Sequence, residues 1–410
     1  MRHSERLAMR EKKTLMLLGG SQSQLAAIRM ADDLGYRTVL CDYLPDNPGR
    51  LLVDVFYQVS TTEKDAVFEV ARNELIDGIV AYGSDPAAPT AAYVAEQLGL
   101  PGVPYETARS FCDKRLFREF LEERGFNVPR STRLSSSSQL EEVESFKLPL
   151  IVKPVDSSGS KGVTVVRNPG AIRNALETAI EKSRCGDAIV EEFIERDHEH
   201  VIEAEIFVME GEVVSWGLMN SIRDTASNPL LPAGYTLPLQ LNEERATLVR
   251  DEVSRLVSFT GVRDGAFNIE MLIDKTGRLF FLDAGPRNGG NMLSEFIGMA
   301  SGNNLVSATL RAAMGELNGA DLAFDGVSGG CWGLSVLHSS ETGTFSGVKY
   351  SDTAKRALRR EVLNAEAGDV VHPFVECTDL VGLAFFEFEN AAQMNQVMVD
   401  DPCAIRVELV

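Results

Sequence analysis

The sequence has no CxxC pair, no long apolar run and no cluster of basic residues, and each absence removes a class of function. Six cysteines (Cys41, Cys112, Cys185, Cys331, Cys377 and Cys403) are scattered along the chain. That pattern fits buried thiols in a reducing, cytoplasmic setting. Near the start the only apolar run is Leu15 to Leu18, so neither a signal peptide nor a membrane-spanning helix is expected. The net charge is −20 and the pI about 4.8. A field of that sign repels nucleic acid and anionic bilayers, and without a basic patch neither is an expected partner. Small molecules are.

What is present reads as a modular soluble protein. A chain of 410 residues is too long for one ordinary core and predicts two or three domains. With 44% apolar and 24% charged residues it has a globular composition. Strand-like and helix-like segments alternate through the first hundred residues, from "TLMLL" to "DPAAPTAAYVAEQLG". This rhythm predicts an α/β class with a parallel sheet. Pro101 and Pro104 mark a boundary, and a helix over "CDKRLFREFLEERG" follows. The run "SSSS" reads as a linker, with Ser138 and Glu141 at capping-box spacing before "LEEVESF". Strands dominate from about residue 148.

Three stretches carry chemistry. "LLGGSQSQ" joins a strand to a helix, and Asp42 ends the next strand, but the second and third glycines of a dinucleotide fingerprint are missing. An anion at the helix start and a plain packing turn are both open readings there. "IVKPVDSSGSKGV" places a glycine loop between two β-rich runs, where its backbone N–H groups can cover a triphosphate and Lys153 can meet phosphate oxygens. A hairpin explains the glycine and serine equally well; a lysine inside an apolar strand is harder to explain that way. "GAFNIEMLIDKTGRLFFLDAGPRNGGN" reads as a hairpin. With Lys275 and Thr276 in its turn, Asn268 faces Asp283 and Glu270 lies beside them on the same face. Two carboxylates among apolar neighbours call for a cation, and oxygen ligands suit Mg²⁺; the alternative is that one carboxylate points to solvent or pairs with Arg263 or Arg287.

In this order the motifs resemble the ATP-grasp superfamily, which includes D-alanine-D-alanine ligase, biotin carboxylase, carbamoyl-phosphate synthetase and the amino-acid ligases. The resemblance implies a Rossmann-like domain over 1–105, an ATP-grasp domain over 106–310 with a glycine-rich lid about 148–190, and a small C-terminal subdomain over 311–410. It implies that Lys114 and Lys153 meet the phosphates of ATP. Ser157, Ser158, Gly159, Ser160 and Gly162 resemble the lid. Glu191, Glu192, Phe193 and Ile194 resemble the hinge that reads adenine, and Glu199 the carboxylate for the ribose hydroxyls. Glu270 and Asp283 match the metal carboxylates, implying two Mg²⁺ (or Mn²⁺), and Arg287 matches the arginine near the transferred phosphoryl group. Where the family has Asn, this chain has Gly285; either water or Asn288 fills that coordination position, or the second Mg²⁺ is held differently.

The activity implied is an ATP-dependent ligase that forms an amide or peptide bond through an acyl phosphate, from a small carboxylate such as an amino acid and an amine. A carboxylase or nucleotide-precursor ligase of the same superfamily, and an inactive ATP-binding regulatory protein, are the alternatives. Arg223 and His338 are left between substrate and structural roles. A homodimer is expected by analogy alone.

Overall fold

The computed structural model describes residues 12–224, 228–319, 322 and 330–410. Its first sheet is made of β1 (Thr14–Leu18), β2 (Arg37–Asp42), β3 (Val55–Gln58) and β4 (Gly78–Val80), all parallel in the order β3-β2-β1-β4. The residues of β1 are buried along its whole length, as a sheet covered by helices on both faces requires. Leu15 and Leu17 meet the helix Leu25–Asp33 through Ala27 and Ile28, while Met16 and Leu18 meet Val67, Val70 and Val94 on the other face. That sorting is the two-residue alternation of a strand. The strand β3 is absent from the sequence reading. So is the docking of the helix Leu305–Ala313 here, with Val306, Leu310 and Ala313 on the Leu15 face.

A second, antiparallel sheet holds β5 (Ser131–Leu134), β6 (Leu150–Pro154), β7 (Thr164–Val166) and β8 (Ala188–Glu192), in the order β5-β8-β6-β7. Leu150 and Val152 pack against Leu176 and Ala179 of the helix Ile172–Lys182. Ile151 and Lys153 therefore project from the opposite face, which borders a cavity. The serine segment is a short 3₁₀ helix, Ser137–Val143. Its capping box is Ser136 with Gln139, not Ser138 with Glu141.

The third sheet begins with β9 (Val201–Met209), β10 (Glu212–Arg223), β11 (Pro232–Leu237), β12 (Gly265–Ile273) and β13 (Leu279–Gly285). Beyond residue 330 come β14 (Cys331–Leu337), β15 (Gly343–Tyr350), β16 (Leu358–Leu363), β17 (Val370–Val371), β18 (Gly382–Phe388) and β19 (Ile405–Leu409). Eight strands join in the order β13-β12-β9-β10-β11-β14-β18-β16, and β17-β15-β19 form a small sheet. β14, β18 and β16 thus extend the sheet that holds β9 to β13. On β9, Ile202, Ala204 and Ile206 pack with Val249 and Val253 of the helix Glu243–Ser258. Glu203 and Glu205 consequently share the other face.

The hairpin β12–β13 corrects one expectation of register. Glu270, not Asn268, stands opposite Asp283, and Asn268 stands opposite Gly285. Two causes add. The turn is one residue longer than expected, pinned by Asp274, whose carboxylate accepts from the backbone N–H groups of Thr276 and Arg278. A β-bulge between Glu270 and Met271 then adds a further residue on the β13 side.

Candidate functional site

Where the three sheets meet, a cavity of about 650 Å³ opens, a size suited to a nucleotide-scale ligand. Ile151, Phe193, Ile194, Val201, Leu272 and Phe280 give it an apolar slot at one end. Lys114, Lys153, Arg287, Glu270 and Asp283 line its polar part. Ser157, Ser158, Gly159 and Ser160 also line it, as do Glu191, which pairs with Ile151, and Glu192.

Cations on this side are held by buried partners. Lys153 Nζ is 2.5 Å from Glu191 Oε2, and Arg118 Nε donates to Glu191 Oε1 at 2.6 Å. All three side chains are less than a tenth exposed. Burial alone would push the Glu191 carboxyl up, but Arg118 and Lys153 outweigh it and bring it down to about 2. Burial lowers the pKa of Lys153, and Glu191 only partly offsets that. Lys114 starts its helix, Lys114–Glu123, buried, with Nζ donating to Ser157 O at 2.8 Å and 3.3 Å from Asp283 Oδ2. Burial works against its charge; Asp283 and then Asp85 outweigh burial and raise its pKa.

Carboxylates gather on the third sheet. Glu203, Glu270 and Asp283 are successive cross-strand neighbours on β9, β12 and β13. Glu203 is buried, Oε1 accepts from Asn268 Nδ2 at 2.7 Å, and Oε2 has no partner. Burial, then Glu270, pushes its pKa well up. Glu205 accepts from the Gly289 N–H at 2.9 Å and from Ser294 Oγ at 2.5 Å, and burial raises it to about 7 despite those bonds. Arg223 Nη2 lies 3.3 Å from Glu270 Oε1. Asp283 keeps 42% of its side-chain surface open to the cavity. Enclosure opposes its charge, and Lys114 followed by Lys153 lowers its pKa. Arg287 is bidentate to Asp85, through Nε at 2.7 Å and Nη2 at 2.6 Å.

Among the described residues, no three His, Cys, Asp or Glu converge as a closed metal cage. Two facing carboxylates with lysines and an arginine nearby fit a different donor set, in which Mg²⁺ takes its remaining ligands from phosphate oxygens and water. The residues therefore fit a magnesium nucleotide.

Not every expected residue is at the cavity. Glu199 does not line it; its side chain is 70% exposed and lies 3.8 Å from His200 Nε2. Gly162 is also outside, packed close to Lys182 and Pro154. Asn288 is buried and turned away, its amide donating to Ser294 and Thr309. His338 bonds Val336 O, stacks on Phe374 and faces Asp224, away from the cavity wall. At the amino-terminal turn, Asp42 accepts from the Gly20 N–H at 2.7 Å, while Ser21, Gln22 and Ser23 reach the cavity.

The sequence reading passed over Asp85, Arg118, Glu203 and Glu205. Signals were there: Asp85 follows the end of a parallel strand, where crevices form. Arg118 is four residues beyond Lys114, on the same helix face. Glu203 and Glu205 interrupt an apolar strand as Lys153 does.

A family model described as an ATP-grasp domain matches residues 119–291. The chain is 31% identical over 192 residues to a formate-dependent phosphoribosylglycinamide formyltransferase from Synechococcus sp., covering 46% of this chain and 49% of that one. It is 25% identical over 264 residues to a carbamoyl phosphate synthase large chain from Thermotoga sp., covering 62% of this chain and 23% of that one. The alignments thus span about half and about a quarter of these curated relatives. Over 98% of its length the chain superposes on all of an L-amino acid ligase from Bacillus licheniformis, with a TM-score of 0.80 and 20% identity. A phosphoribosylglycinamide synthetase from Anaerococcus prevotii is covered as fully, at a TM-score of 0.75 and 19% identity. By sequence match residues 119–291 form an ATP-grasp domain, and the whole chain shares the fold of these two solved structures.

Proposed function

We propose that the protein is an ATP-dependent ligase that joins a small carboxylic acid to an amine through an acyl phosphate. The observation that carries this reading is the convergence of Lys114, Lys153 and Arg287 with Glu270 and Asp283 on one cavity beneath a glycine loop. Adenine occupies the apolar slot beside Glu191 to Ile194, and the phosphates extend toward Lys114 and Lys153. Glu270 and Asp283 would hold Mg²⁺, which would supply charge neutralisation between two anions that must approach.

The chain's own residues then have distinct tasks. Lys153, fixed by Glu191, is set against the phosphates before they arrive, so little reorganisation is needed. Arg287 meets the terminal phosphoryl group. An oxygen of the acid attacks that phosphorus and the bond to the ADP oxygen breaks. The amine then attacks the acyl carbonyl and phosphate leaves, the amine proton passing to solvent or the leaving phosphate. Because an acyl phosphate hydrolyses readily, Ser157 to Ser160 serve to exclude water. Contacts from two sides favour this role: Ser160 Oγ donates to Leu230 O at 3.0 Å, and Cys377 packs against Gly159, where a Cβ would lie 2.2 Å from its Sγ.

A second reading is favoured by Ser21 to Ser23, which bring a helix-start turn to the same cavity. It would give the amine substrate a phosphate, as in a nucleotide precursor. Phosphate release is the test, measured with the amino acids in pairs, with formate or bicarbonate, and with phosphorylated amines. Release that requires an acid and an amine supports ligation, a need for bicarbonate supports carboxylation, and nucleotide binding without turnover would overturn the ligase reading.

A further inference from the structure

Asp85 belongs to the N-terminal part of the chain, a few residues past β4, yet its carboxylate ends in the cavity wall. Arg287 gives it two parallel bonds, Nε to Oδ1 at 2.7 Å and Nη2 to Oδ2 at 2.6 Å. A third bond runs from Nη1 to Asn288 O at 3.1 Å. Three of the five N–H groups of the guanidinium are thus committed within the protein, which fixes its plane. One N–H on each terminal nitrogen is left for a ligand.

Gly285 makes this arrangement possible. A Cβ at that position would lie 2.5 Å from Asp85 Oδ1 and 2.9 Å from Arg287 Cζ. Its backbone is not in the left-handed region, so conformation does not demand glycine; space does. Both partners are mostly enclosed, Asp85 at 23% and Arg287 at 13% side-chain exposure. The pair is therefore shielded from the screening that makes surface ion pairs weak.

We infer that Asp85 is a positioning residue, which reaches through the gap left by Gly285 and sets the guanidinium of Arg287 for the terminal phosphoryl group of the nucleotide. The inference rests on the ligase reading only in its choice of that phosphoryl group as the target of Arg287. It also supplies a physical reason for glycine at residue 285: the space is already filled by a carboxylate from a different part of the chain. The turn that carries Asp85 and the arginine are thereby set as one unit, so the N-terminal unit takes part in phosphoryl recognition through Arg287.

The test compares two nucleotides by calorimetry with Mg²⁺ present: ADP and a non-hydrolysable ATP analogue. In wild-type protein the analogue is expected to bind more tightly than ADP, and equal affinity would overturn the inference. Asp85→Asn is expected to remove about tenfold or more of that preference while changing ADP affinity by less than about threefold. Arg287→Ala removes the same preference, and the double variant is no worse than Arg287→Ala alone, because the two side chains act as one unit. An intact preference in Asp85→Asn, or an equal loss for both nucleotides, overturns the inference. Wild-type protein that binds neither nucleotide overturns the nucleotide reading instead. The steric half needs no ligand: Gly285→Ala is expected to lower Tm in wild-type protein and to cost less than half as much when combined with Asp85→Ala. Equal cost in both backgrounds overturns that half.

Discussion

Two buried charge clusters meet at the cavity, and they are built on opposite plans. On the second sheet, Glu191 is enclosed between Arg118 and Lys153, so its charge is answered within the protein. On the third sheet, Glu203, Glu270 and Asp283 follow one another across three strands with less compensation, Arg223 bordering one side and Lys114 the other. The first cluster balances its carboxylate and acts as scaffold, although Arg118 Nη1 is buried without a hydrogen-bond partner. The second retains an unpartnered buried oxygen on Glu203, a costly feature in a folded protein unless a ligand completes it. The difference separates shape from chemistry: one cluster places a lysine, while the other is the proposed holder of cations.

The comparison predicts unequal damage. Glu191→Ala leaves two buried cations unanswered and is expected to cost about 3–5 kcal/mol of stability, read from urea unfolding. A loss below about 1 kcal/mol would mean that the cluster is not the scaffold described. Arg287→Ala, by contrast, should fold and lose about 10²- to 10³-fold in phosphate release.

Dependence on pH sharpens the contrast because Glu191 and Glu205, which shares the Glu203 face of β9, are shifted in opposite directions. Glu191 is held at about 2, below its ordinary 4.5, so its contribution to stability is present above pH 4.5 and lost as pH falls toward 2. Glu205, raised from 4.5 to about 7, contributes most below 4.5, and that share is lost as pH rises toward 7. Urea midpoints across both ranges should show Glu191→Gln flattening the acid limb and Glu205→Gln flattening the limb toward neutrality. The smallest effect is expected at Glu199. Its exposed side chain lies outside the cavity, so Glu199→Ala should shift nucleotide affinity by less than about twofold.

Much of this was legible in the chain, and what was hidden shares a cause. Alternation along a strand is local, so Lys153, inside "LIVKP", pointed to a polar face before any fold was known. The βα rhythm of the first hundred residues likewise predicted the parallel sheet that β1, β2 and β4 form. Register is not local in the same way. A turn one residue longer and a bulge after Glu270 moved the partner of Asp283 from Asn268 to Glu270, and neither has a strong sequence mark. Pairings across units were further out of reach. Asp85 and Arg287 are 202 residues apart, and nothing in either neighbourhood names the other. The docking of the helix Leu305–Ala313 on the first sheet was hidden for the same reason. Lys114 looked like a surface lysine on a charged helix, since burial at a helix start depends on what packs over it.

The most direct measurement is a calorimetric titration of ADP into the wild-type protein and into the Glu270→Gln/Asp283→Asn double variant, each with and without Mg²⁺. If cations bridge these carboxylates to the phosphates, wild-type affinity rises about 100-fold or more on adding Mg²⁺ and the double variant shows no such rise. Equal, magnesium-independent binding in both proteins would contradict it.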